Sequence, residues 1–113
     1  MDPGRTMDVE RLRGVVAAGV PEDCAWALPR LADALARGGA KIEAAQTYVH
    51  AARVLRAGGF YLKAAACLRH AEGLGAHTQA IADERAALLA VVDPAMRTII
   101  EARSGTEVRD ALA

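Results

Sequence analysis

Residues Tyr48 to Ala71 read YVHAARVLRAGGFYLKAAACLRHA. Val49, Ala52, Leu55 and Arg56 before the glycines, and Leu62, Ala65, Ala66 and Leu68 after them, fall at the spacing that gathers side chains on one face of an α-helix. Gly58 and Gly59 interrupt that spacing, because glycine readily takes the left-handed backbone that closes a helix. The stretch therefore predicts a helical hairpin, one helix over about 40–57 and the next over about 60–72.

The segments on either side are also helical in pattern. Toward the N-terminus, Leu31, Ala34 and Leu35 lead into a stop at Gly38 and Gly39, and Pro21, Glu22 and Asp23 suit the first turn of the same segment, where the macrodipole favours acids. Pro29 lies inside it, and a proline in a helix interior costs about 3 kcal/mol, so a kink or a fresh start is expected there. Asp8 is a plausible N-cap for a short helix carrying Val9, Leu12, Val15 and Val16, with Gly14 weakening it and Gly19 as its stop. Residues 1–7 then form a disordered tail. Toward the C-terminus, Thr78 caps a helix from Gln79 to Val92 with Ile81, Leu88 and Leu89 apolar. Asp93 followed by Pro94 starts a sixth helix through Met96, Ile99, Ile100 and Arg103. Ser104 and Gly105 end it, leaving 104–113 as a tail. The expected fold class is all-α, one domain over 8–103 of five or six short helices in antiparallel hairpins.

The two glycine stops share more than glycine. Gly38, Gly39, Ile42, Ala44, Ala45, His50 and Ala51 recur twenty residues later as Gly58, Gly59, Leu62, Ala64, Ala65, His70 and Ala71. In the later unit, Tyr48, Ala51, Ala52, Leu55, Gly59, Tyr61, Ala64, Leu68 and Ala71 alternate large and small residues through two helices. Ala52, Ala64 and Ala71 let two backbones approach, while Tyr48, Leu55 and Leu68 fill the space beside them. This order resembles the tetratricopeptide pattern, with the hairpin at 40–73. A second phase also fits, through Leu28, Leu31, Ala32, Leu35, Gly39, Ala44, Tyr48 and Ala51. The later phase is preferred because it has Tyr61 and lacks Pro29, and the two exclude each other.

The resemblance implies a right-handed stack of hairpins, either a short α-solenoid or a compact helical bundle, working as a protein–protein interaction module: an adaptor, scaffold or chaperone. In such proteins the first helix of each hairpin lines a concave groove that holds a peptide or a partner's helix. Carried onto this chain, the groove residues are Gln46, Val49, Arg53 and Arg56, and the two arginines suit a carboxylate or an acidic motif on a partner. Uncovered ends of a short stack also allow a homo-oligomer. Trp26, the sole tryptophan, is expected in the core rather than as an exposed anchor.

Composition narrows the alternatives. Lysine plus arginine and aspartate plus glutamate both number 14 in the 113 residues, so no global basic field recruits nucleic acid or an anionic membrane. Charged residues interrupt every apolar run before it reaches bilayer-spanning length. Cys24 and Cys67, with no secretory pattern, suit a reducing cytoplasm, and the Ala, Arg and Gly bias suggests a bacterial source. Cys67 and His70 share a helix face and His50 lies at the equivalent position twenty residues earlier, which frames the rival reading of a helical-bundle metal protein or enzyme. No fourth ligand, oxyanion hole or orienting acid accompanies them, and neither glycine pair is followed by the lysine and hydroxyl residue of a phosphate loop. The expectation is a non-enzymatic protein without metal or cofactor. A third reading is a dimeric structural bundle with no groove.

Overall fold

The computed structural model describes residues 3–102, with side chains from Asp8 onward. Six helices and no strand are present among them: α1 (Pro3–Ala18), α2 (Pro21–Arg37), α3 (Lys41–Ala57), α4 (Tyr61–Gly73), α5 (Thr78–Val91) and α6 (94–102). The class is all-α, and no described helix is long and apolar enough to cross a membrane.

Three turns share one construction. Gly19, Gly39 and Gly59 have φ of +74°, +89° and +85°, and each is followed by a non-helical N-cap: Val20, Ala40 or Phe60. Helices α2, α3 and α4 thus begin at 21, 41 and 61. At the second turn the Ala40 amide donates to the Leu35 carbonyl at 2.9 Å and the Gly39 amide to Ala36 at 3.1 Å. At the third, Phe60 donates to Leu55 at 2.8 Å and Gly59 to Arg56 at 3.0 Å. These are Schellman closures, in which a left-handed residue lets the chain satisfy the last helical carbonyls and turn back at once.

Each helix packs chiefly on its neighbours in sequence. The α2–α3 and α3–α4 seams are the most extensive, followed by α1–α2, while α5 lies against both α4 and α3. Small residues occupy the seams: Ala27, Ala32, Ala44, Ala45, Ala51, Ala52, Ala64 and Ala71 are all at most 1% exposed. With no side chain beyond Cβ they let the helix axes close up, and Leu28, Tyr48, Leu55, Leu68 and Leu88 fill the spaces between. A second apolar cluster of Leu12, Ala27, Leu31, Leu35 and Ala44 joins α1 to α2 and the start of α3. Arg13 adds an ion pair to Glu43 at 2.7 Å, and an Arg85–Glu72 pair ties α5 to α4.

Several expected boundaries move. Helix α1 begins at Pro3, so Asp8 lies inside it rather than at its cap, and 3–7 is helical backbone rather than tail. Pro29 neither ends α2 nor restarts it. Buried Ala27, Leu28, Leu31 and Ala32 bracket the proline, and their packing offsets the hydrogen bond that position 29 cannot donate to the Ala25 carbonyl. Thr78 does not cap α5; His77 is the N-cap, with φ of +56°. The α6 start holds as expected, since the Met96 amide donates to Asp93 Oδ1 at 2.8 Å. The expected stop at Ser104 and the tail over 104–113 lie outside the described residues.

Candidate functional site

The four residues expected to line a groove on α3 have different environments. Gln46 is exposed, whereas Val49 is 5% exposed and belongs to the core, so it lines no open face. Arg53 Nε donates to Glu84 Oε1 at 2.8 Å, and an Arg56 terminal nitrogen approaches Glu84 Oε2 at 3.4 Å. The carboxylate sought on a partner is therefore supplied by α5 of the same chain. Glu84 is the buried charged residue among those described, 8% exposed, and its two oxygens are divided between the arginines. Arg56 Nε is buried with no hydrogen-bond partner. This triad fastens α5 to α3 rather than leaving α3 open.

An open concavity lies elsewhere, between α2 and α4 over α3. It has a volume of about 440 Å³ and is walled by Trp26, Pro29, Arg30 and Asp33 of α2 and by Lys63, Ala66 and His70 of α4. Tyr48, Leu55 and Cys67 form its floor, at 6%, 3% and 5% exposure. Trp26 is 42% exposed at its mouth, against the expectation of a core plug. The indole is held rather than loose: Nε1 donates to Asp23 Oδ1 at 3.2 Å, and the Arg30 guanidinium lies 5.5 Å from the ring centroid. Across the cleft, the Lys63 ammonium lies 5.4 Å from the Phe60 ring. Tyr48 and His70 stack, their centroids 5.3 Å apart with 18° between planes.

The cleft's charges are partly matched. Asp33 pairs with Arg37 one turn on, while among the described residues neither Arg30 nor Lys63 meets a carboxylate. Burial first, then the nearby Asp33 and Cys67, raise the Tyr48 phenol above its ordinary value, so it stays a neutral donor. Burial alone pushes the Cys67 thiol up to about 11. A buried, protonated thiol is a poor nucleophile and a poor metal ligand. Among the described residues no three His, Cys, Asp or Glu side chains converge to hold a metal, and Cys67, His70 and His50 are not drawn into a ligand set. His50 instead borders a second concavity of about 620 Å³, lined by Val16, Pro21, Glu22, Ala25, Val54 and Phe60 among others. Ala25 is the residue common to the two linings, while on α3 the first concavity takes Tyr48 and Leu55 and the second His50, Val54 and Ala57.

The signal for this site lay in the α2 sequence: Glu22, Ala25, Trp26, Pro29, Arg30 and Asp33 are spaced as one helical stripe. Its mixture of apolar and charged residues fits a surface that is neither core nor plain solvent face. Comparison of the chain with protein-family models, with curated protein sequences and with solved structures finds no match in any of the three.

Proposed function

We propose that this protein is a protein–protein interaction module of tetratricopeptide-like build, an adaptor, scaffold or chaperone that receives a peptide or helix of another protein in the cleft between α2 and α4. The observation that carries the reading is the 42% exposed Trp26, held in place at the mouth of a concave, largely apolar cleft. A large aromatic that is immobilised before binding loses little entropy on contact, which is why such residues dominate interface energetics. Two supports come from the fold: alanines occupy the seams, and each helix packs mainly on its sequence neighbours, as in a stack.

In this arrangement α2 and α4 are the groove-lining helices and α3 runs behind them, so the proposal takes the phase that pairs α2 with α3 in place of the later phase preferred from the sequence. The cytoplasmic setting fits two free, buried thiols, Cys24 and Cys67. The test is selection of peptides from a random display library against the whole chain. Because Trp26 is the sole tryptophan, its emission reports occupancy of the cleft directly. Selected peptides are expected to shift that emission, and Trp26→Ala is expected to weaken them by roughly 2 kcal/mol, about thirtyfold. Peptides that bind Trp26→Ala as tightly as the unaltered chain would place the interaction elsewhere.

A further inference from the structure

The floor of the cleft between α2 and α4 carries an unanswered hydroxyl. Tyr48 is 6% exposed, and its ring stacks on His70 with centroids 5.3 Å apart. Among the described residues its hydroxyl makes no hydrogen bond, yet it is not sealed from water: Arg56 Nε is the side-chain atom there that is both sealed off and unpaired. The phenol therefore opens into the cleft that Tyr48 lines. A hydroxyl at the bottom of a mostly apolar site is a strong anchor for any acceptor that reaches it, because little water is there to compete.

Asp33 supplies the complementary group. It lines the same cleft; its Oδ2 accepts from Arg37, while its Oδ1 has no partner among the described residues. Burial first, and then Asp33, raise the Tyr48 phenol, so the hydroxyl next to this carboxylate stays a neutral donor. The cations lining the cleft are engaged elsewhere. Arg30 lies over Trp26, one turn toward the start of α2, and Lys63, in the first turn of α4, lies over Phe60. Asp33 and His70 stand toward the C-terminal ends of α2 and α4, so the corner around Tyr48 holds one carboxylate already balanced by Arg37. A second carboxylate there would face Asp33, and a further cation would be added to Arg30 and Arg37. A neutral group that both accepts and donates avoids both conflicts.

Resting on the cleft reading above, we infer that the partner segment inserts an asparagine or glutamine side chain into this corner, its carbonyl accepting from the Tyr48 hydroxyl and its amide donating to Asp33 Oδ1. A carboxamide carries both functions on one neutral, planar group. A side chain is required because Tyr48 lies on the floor, whereas a main chain crossing the cleft rests at the mouth with Trp26. Trp26 then supplies apolar contact, and Tyr48 with Asp33 supplies selectivity. A site of this kind discriminates strongly, because an occupant lacking either function leaves a polar group of the site unpaired.

The test titrates the full chain with 3-phenylpropanamide, 3-phenylpropanoate and 3-phenylpropylammonium, probes of one shape that differ in the head group, and reads Trp26 emission. Each neutral hydrogen bond is worth about fivefold, and each charged probe forfeits one or meets a like charge, so the amide should bind about tenfold tighter than either. Its affinity should not change in about 0.5 M salt, as befits a neutral occupant. Tyr48→Phe keeps the ring on His70 but removes the donor, and should cut the amide's advantage about fivefold. Asp33→Asn turns the acceptor into a group that also donates and leaves Arg37 unanswered, so the carboxylate probe should become the tightest of the three. Equal affinities, or the carboxylate bound tightest by the unaltered chain, would overturn the inference. Silence of Trp26 with all three probes at about 20 mM would overturn it as well. Library-selected peptides that still shift Trp26 would in that case keep the cleft and remove only its carboxamide corner, and a selection without such peptides would overturn both.

Discussion

Removal of the Glu84 carboxylate probes how α5 is attached. In Glu84→Ala, Arg53 and Arg56 lose their shared acceptor, and the outcome depends on how each cation is then solvated. The Arg53 side chain is 58% exposed and can rehydrate where it stands, so its pair with Glu84 is worth no more than a surface bridge, about 0.5 kcal/mol. Arg56 is 26% exposed, its contact to Glu84 is long at 3.4 Å, and its Nε already lacks a partner. A charged hydrogen bond of this kind sits at the low end of its range, about 1.5 kcal/mol. Together the loss is roughly 2 kcal/mol, below the 3–5 kcal/mol expected when a fully buried pair is broken. For a domain near 100 residues this lowers Tm by about 8–14 °C. Urea unfolding followed by circular dichroism reads the difference, and a double-mutant cycle with Arg56→Met should return a coupling of about 1 kcal/mol. A loss under about 0.5 kcal/mol with no coupling would mean that the triad does not hold α5, and that the apolar contacts of Ile81 and Leu88, with the Arg85–Glu72 pair, do so.

Three further perturbations follow from single features. Cys67 titrates near 11 when folded and near 9.0 when not, so the folded state holds the proton more tightly; the resulting stability is full below about pH 9 and declines by about 2–3 kcal/mol as pH rises through 11, and in Cys67→Ala this decline should disappear, leaving only the later one that the raised Tyr48 phenol produces above pH 10. Gly39→Ala and Gly59→Ala each force alanine to φ near +85° to +89° in open space, so backbone strain alone should cost about 1–2 kcal/mol in chemical denaturation, with no change in helix content. Pro29→Ala restores a donor for the Ala25 carbonyl and should stabilise the chain by about 1–3 kcal/mol in the same assay; destabilisation would show that the proline ring contributes more by lining the cleft than its missing amide costs.

The helices were legible wherever a local signal fixed them. Gly38–Gly39, Gly58–Gly59 and Asp93–Pro94 act through the backbone of one or two residues, and all three stand where expected. Asp8 and Thr78 misled because capping residues also occur inside helices or one position past the true start. Pro29 misled in the opposite sense: α2 runs on through it, with buried Ala27, Leu28, Leu31 and Ala32 on both sides.

The site was less legible because it depends on which helices are neighbours. Arg53 and Arg56 are 31 and 28 residues from Glu84, and no periodicity within α3 reveals a carboxylate arriving from α5. Val49 has the spacing of a face residue, yet it lies in the same buried cluster as Ala52 and Leu55 once α2, α4 and α5 surround α3. Trp26 follows buried Cys24 and precedes buried Ala27 and Leu28, and a single residue's rotation about the helix axis decides whether such a side chain enters the core or its rim.

The groove is tested most directly by amide chemical-shift mapping of the full chain with a library-selected peptide. Occupancy of the α2/α4 cleft predicts the largest shifts at the Trp26 indole and at Arg30, Lys63, Ala66 and His70, with the Arg53 and Arg56 amides little changed. Shifts concentrated on Arg53, Arg56 and Glu84 would place the partner on the α3–α5 face and contradict the assignment.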